Sequence, residues 1–169
     1  MGQTSHKLPL QDLLMDFAPI SLADMNRVRL LDRQDTKMVL PVWKLLPIIQ
    51  GLSQDYRILE TEGSQVSSYR SLYYDTKDWQ SYREHHNQRK NRYKIRYRSY
   101  VGSDVHFFEI KHKTNKNRTI KTRIETDGIK TSFGVEESKL LNEHTPLNPF
   151  DFSPTIWVNY KRITLVGNN

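Results

Sequence analysis

The chain has 169 residues, with 26 Lys and Arg against 19 Asp and Glu, a formal net charge of +7; that length suits one main domain with a real core. An aromatic share of 11% argues against wholesale disorder, and the absence of cysteine excludes disulfides, thiolate catalysis and cysteine-ligated zinc. No apolar run approaches the roughly 18–20 residues of a membrane span and no charged-then-apolar leader opens the chain, so a cytoplasmic protein is expected.

Leu10, Leu13, Leu14 and Phe17 keep a three-to-four spacing. They predict a mainly helical stretch over 8–26, in which Ser21 can cap a second short turn. Residues 1–25 are thus expected to form an N-terminal helical segment ahead of a main domain over 26–169. Residues 28–40 read as a strand. Pro41 suits the first turn of a helix bearing Trp43, Leu45, Leu46, Ile49 and Leu52, which Pro47 should kink or split. Residues 67–74 read as a strand, and Asp75 or Thr76 can cap a helix over 77–86.

From Arg92 the period changes to two. Strands are predicted over 92–101, 105–113 and 118–126, joined by short polar turns that make neighbours antiparallel. A short helix over 135–142, a proline-marked loop and a last strand over 155–166 complete an α+β reading with about six strands.

The positive charge is concentrated. Residues 89–130 hold 13 Lys and Arg and four acids, net +9, while the remaining 127 residues sum to −2. Alternate residues of a strand share a face, so Lys94, Arg96 and Arg98 lie opposite Ile95 and Tyr97. Glu109, Lys111 and Lys113 likewise oppose Phe108 and Ile110, and Lys121, Arg123 and Glu125 oppose Ile120 and Ile124. Arg33, Asp35 and Lys37 repeat the pattern near the start, as do Tyr160 and Arg162 near the end. Like charges opposed on paired strands destabilise a sheet, and an anion would relieve them. Tyr97 and Phe108 fall on the apolar side and Phe107 pairs with no cation in this reading. A cationic face without stacking rings points to phosphate and away from bases. If the sheet curls shut, that face becomes the lumen of a barrel. His85 and His86, or His106 and His112, do not converge on an ion, and no glycine-rich phosphate loop is present.

Arg33-Gln34-Asp35-Thr36-Lys37, Ser71-Leu72-Tyr73-Tyr74-Asp75 and the run Lys94 to Tyr100 resemble the VTC domain. So do Phe108-Glu109-Ile110-Lys111, Thr119 to Arg123 and Val158 to Arg162, in the same order. The VTC domain is the polyphosphate-polymerase branch of the triphosphate tunnel metalloenzymes, in the CYTH-like superfamily. The resemblance implies a mostly antiparallel sheet curled into a basic, tunnel-like barrel with flanking helices. It implies a transferase-type activity in which a divalent metal, Mn or Mg, assists phosphoryl transfer from a nucleoside triphosphate to a polyphosphate chain. Polyphosphate, triphosphate or a nucleoside triphosphate would be the partner, nucleic acid would not, and a membrane protein is admitted as a further partner.

By that resemblance Lys37, Arg96, Arg98, Lys111, Lys121, Tyr160 and Arg162 contact phosphate, and Arg33, Lys113 and Arg123 extend the set. In the family, further strands with a metal-binding glutamate follow the position of Asn169, so an incomplete tunnel is expected and no metal ligand is evident. Glu109 and Glu125 are the weak candidates for that role, and pairing with Lys111 and Arg123 is the expected alternative. Two other functions share these residues: a non-catalytic polyphosphate sensor and an RNA-binding module.

Overall fold

The computed structural model of the chain describes residues 10–27, 36–116 and 118–168. Two compact units divide it, one of residues up to 67 together with 162–169, the other of residues 68–161.

The first unit contains α1 (Leu10–Leu14), β1 (Pro19–Ser21), α2 (Leu22–Arg27), α3 (Leu45–Gln50), β2 (Tyr56–Glu60) and β8 (Leu165–Gly167). Its core is Leu13, Leu14, Phe17, Ile49 and Ile58, ringed by Leu10, Leu46, Leu52, Val66, Ile163 and Leu165. The predicted helix over 8–26 is interrupted, because residues 19–21 pair in parallel with residues 58–60 of β2. Ser21 then caps α2 as expected, its Oγ accepting from the Asp24 amide at 3.1 Å. β2 went unpredicted: five residues with one fully buried side chain give little periodicity.

Residues 28–35, with Arg33 and Asp35, lie outside the described residues. The rest of the strand expected over 28–40 is not there: residues 36–40 are exposed and have no regular structure. Among the described residues no strand pairs with them. Pro41 leads into a 3-10 turn, Val42–Lys44, and α3 follows. Pro47 is the third residue of α3, where its missing N–H is one of the donors no helix satisfies internally.

The second unit is built on five strands: β3 (Ser67–Thr76), β4 (Arg92–Val101), β5 (Val105–Lys113), β6 (Thr119–Thr126) and β7 (Phe152–Arg162), in the order β6-β5-β4-β3-β7. The β3–β4, β4–β5 and β5–β6 pairs are antiparallel. Gly102, at φ +106°, turns β4 into β5. One sheet face carries Leu72, Tyr74, Ile95, Tyr97, Phe108 and Ile110, and packs with Leu141 of α5 (Val135–His144). Glu137 secures α5: one carboxylate oxygen accepts from the Gly134 amide and the other from Tyr97 Oη. A Cβ at Gly134 would sit 2.6 Å from that carboxylate.

α4 (Gln80–His86) uses both predicted caps. Thr76 Oγ1 accepts from the Gln80 amide, and the Asp75 carboxylate from the amides of Ser81 and Tyr82. The strand expected over 155–166 breaks in two, β7 ending at Arg162 and β8 starting at Leu165, because Ile163 and Leu165 join the first unit's core. Among the described residues the five-stranded sheet stays open, with β6 and β7 as its edges. No described helix is long and apolar enough to cross a membrane.

Candidate functional site

The register assembles the second face of this sheet row by row. Lys94, Lys111 and Lys121 are directly opposed across β4, β5 and β6. In the next row Tyr73, Arg96, Glu109 and Arg123 are aligned, and then Ser71, Arg98, Phe107 and Glu125. Tyr69 and Tyr100 close the aromatic end. The sequence-predicted cations Arg96, Arg98, Lys111, Lys121 and Arg123 therefore share one surface, with Lys113 a row beyond the lysines, between Arg92 and Thr119.

Glu109 sits at the centre of the face with no solvent exposure. Arg96 Nη2 reaches its Oε2 at 2.5 Å, and Arg96 Nε donates to the same oxygen at 2.7 Å. Lys121 Nζ lies 2.5 Å from Oε1 as an ion pair without hydrogen-bond alignment, and Arg98 Nε stands 4.0 Å from Oε2. Burial alone would raise the Glu109 carboxyl, but Lys121 and Arg96 outweigh it and hold it below the ordinary carboxylate range. Burial would likewise lower Arg96, but Glu109 and Tyr73 reverse the direction. The pairing expected between Glu109 and Lys111, on the same face of β5, gives way to ion pairs across the sheet with Arg96, Lys121 and Arg98.

Lys111 is the group left under strain. Burial pushes its ammonium down to about 8, and Arg96, Arg98 and Lys121 add to the effect against a partial offset from Glu109. One carboxylate does not neutralise this cluster of cations.

The face is also aromatic, which corrects the reading of a cation surface without rings. Phe107 points to the charged side and lies 4.1 Å from the Arg123 guanidinium. Arg98 is 5.2 Å from the Tyr69 ring and 5.8 Å from Tyr160, and those rings stack at 4.9 Å. Arg96 Nη1 donates to Tyr73 Oη at 2.7 Å. Tyr69 and Tyr73 were missed as members of the site, although Tyr69, Ser71 and Tyr73 alternate along β3 as the cations do along β4. The rings hold guanidinium groups in place, which pre-orients planar forks suited to phosphate oxygens.

Tyr160 joins the face through Arg98. Arg162 is the exposed last residue of β7, and Lys37 is exposed in the first unit. Arg33 lies outside the described residues.

The metal candidates do not fit an ion. Both Glu109 oxygens are committed to cations, and Glu125 is a single exposed carboxylate opposite Phe107. Among the described residues no three His, Asp or Glu side chains come together to hold a metal.

The family model for the VTC domain matches residues 32–169. The chain belongs to the VTC domain family. The match spans β2 through β8 and every strand of the basic face, and it ties this VTC domain to polyphosphate in general terms. No curated protein is similar enough to count as a relative.

Proposed function

We propose that the basic face binds a compact polyanion, a polyphosphate or triphosphate chain, including the phosphates of a nucleoside triphosphate. The observation that carries this reading is the row Lys94, Lys111 and Lys121 beside Arg96, Arg98 and Arg123, with Glu109 as the buried acid among them. Successive phosphates would meet lysine charges on one side and arginine forks on the other. The rings do not favour the RNA reading, because guanidinium groups already lie against Tyr69, Phe107 and Tyr160. Lys37, Arg162 and a closed tunnel rest on the family resemblance alone.

Phosphoryl transfer with a divalent ion is the activity that the family implies. Such transfer is mostly positioning and charge neutralisation, for which Arg98, Lys111 and Lys121 are suited. Binding without turnover is the alternative reading, and the pairing of Glu109 with Arg96 and Lys121 speaks for it.

A melting curve with tripolyphosphate at low salt tests the reading. Ligand at 100 times its dissociation constant adds about 2.7 kcal/mol, a rise of roughly 5–10 °C for a chain of this size. A curve unmoved by millimolar tripolyphosphate rejects polyanion binding. Chain growth or phosphate release that needs manganese and is lost in Arg98→Ala would establish transfer.

A further inference from the structure

Beside the basic face lies a cavity of about 190 Å³, framed by Tyr73, Trp79, Tyr82, Lys94, Ile95 and Ile156. Two of these residues also belong to the face. Tyr73 accepts from Arg96 through its hydroxyl, and Lys94 begins the lysine row. The cavity thus shares two residues with the cationic surface, while Tyr74 and Ile95 reach it from the apolar face, and its rings are those of Tyr73, Tyr74, Trp79 and Tyr82. Pockets that enclose whole drug-sized ligands run to about 300–1,000 Å³. This one suits a single planar ring system.

Trp79 gives the cavity a further feature. Its backbone is left-handed, φ +60° and ψ +41°, an uncommon state for a bulky side chain. The remaining non-glycine residues at positive φ among those described are Glu62, Gln88, Asn91 and Asp104, polar residues near turns. Trp79 is held there by its own amide, which donates to the Thr76 carbonyl at 3.0 Å. The indole stays half exposed, edge-on to Tyr82 with ring centres 6.3 Å apart. The Trp79 carbonyl also accepts from the Arg83 amide at 2.9 Å as α4 begins, and backbone strain of this kind is concentrated at functional sites. The carboxylate of Asp75, which also lines the cavity, is spent on α4 amides, so the polar groups at the wall are those of Ser81, His85, Lys94 and Thr155, and the rings offer stacking.

We propose that this cavity is a base subsite, which takes the planar ring of a nucleoside whose phosphate chain lies on the basic face. The inference rests on the phosphate-binding reading of that face. Stacking on Trp79 and Tyr82 is tolerant of base identity, because every base has a π-face.

The experiment compares dissociation constants for ATP and for tripolyphosphate in the wild type, Trp79→Gly and Trp79→Phe. Glycine accepts positive φ, so Trp79→Gly keeps the fold while deleting the indole, and Trp79→Phe restores a ring. Trp79→Gly is expected to weaken ATP about tenfold, leave tripolyphosphate unchanged, and be rescued by Trp79→Phe. Equal losses for both ligands, or no loss for either, overturn the base subsite while tripolyphosphate binding still stands. If tripolyphosphate does not bind the wild type, the phosphate reading fails, and the base inference falls with it.

Discussion

Arg96 and Glu109 face each other across β4 and β5, and the guanidinium meets the carboxylate at 2.5 Å with Glu109 wholly buried. Removing one member of such a pair strands the other charge. Arg96→Ala is expected to cost about 3 kcal/mol or more, read as a lower denaturant midpoint. A change within a few tenths of a kcal/mol would mean that Lys121 alone satisfies Glu109.

Glu109→Gln separates stability from binding. It should lower the melting temperature yet tighten tripolyphosphate, because a negative charge leaves the face. The folded carboxyl lies below its ordinary 4.5. Its stabilisation is therefore complete above about pH 4.5 and is lost as pH falls through the lowered folded value. The stability gap between wild type and Glu109→Gln should be widest at neutral pH and shrink in stronger acid. A gap independent of pH would show that the carboxylate charge is not its source.

Much of this face was legible before the fold was known, since period two fixed the shared parity of Arg96, Arg98, Lys111 and Lys121. What strand parity cannot supply is register. That is why Glu109 was matched to Lys111 along its own strand when its partners stand across the sheet. Phe107 escaped for a similar reason: it follows the cation parity of β5, but two adjacent phenylalanines obscure which one faces inward. The break between β7 and β8 was invisible locally, because Ile163 and Leu165 keep a strand-like pattern while joining another core.

Lys111 should act as a proton counter for anion binding. Its folded value of about 8 lies below the ordinary 10.5. Between these limits the unfolded chain holds the proton more tightly, so this group makes stability rise with pH across that window. A bound polyanion favours the charged form and pulls the proton back. Calorimetry of tripolyphosphate at pH 8–9, in buffers of different ionisation enthalpy, should show more proton uptake for wild type than for Lys111→Met. Equal uptake would place the protonation change elsewhere.

Arg98→Ala should weaken tripolyphosphate about tenfold or more at low salt, as expected for a charge-assisted contact worth roughly 1.5–3 kcal/mol. The exposed Arg89, outside the strands, serves as the control. Equal losses for Arg98→Ala and Arg89→Ala would replace a lined site with diffuse attraction.

Asp75→Ala removes the acceptor for the amides of Thr76, Ser81 and Tyr82. A loss of about 2 kcal/mol is expected, with Asp75→Asn in between. Hydrogen exchange confined to faster opening of 80–86 would identify α4 as the element released.

The discontinuous first unit sets an order on synthesis. Residues 68–161 are contiguous and carry their own core, so they can collapse as soon as they have left the ribosome. Residues 10–67 emerge earlier but must wait for Ile163 and Leu165, which complete their core, and for β8, which pairs with β2. Closing that long chain loop is slow relative to local contacts. The segment made first is therefore the one finished last, and until then Leu13, Leu14 and Ile58 are open to chaperones and to aggregation.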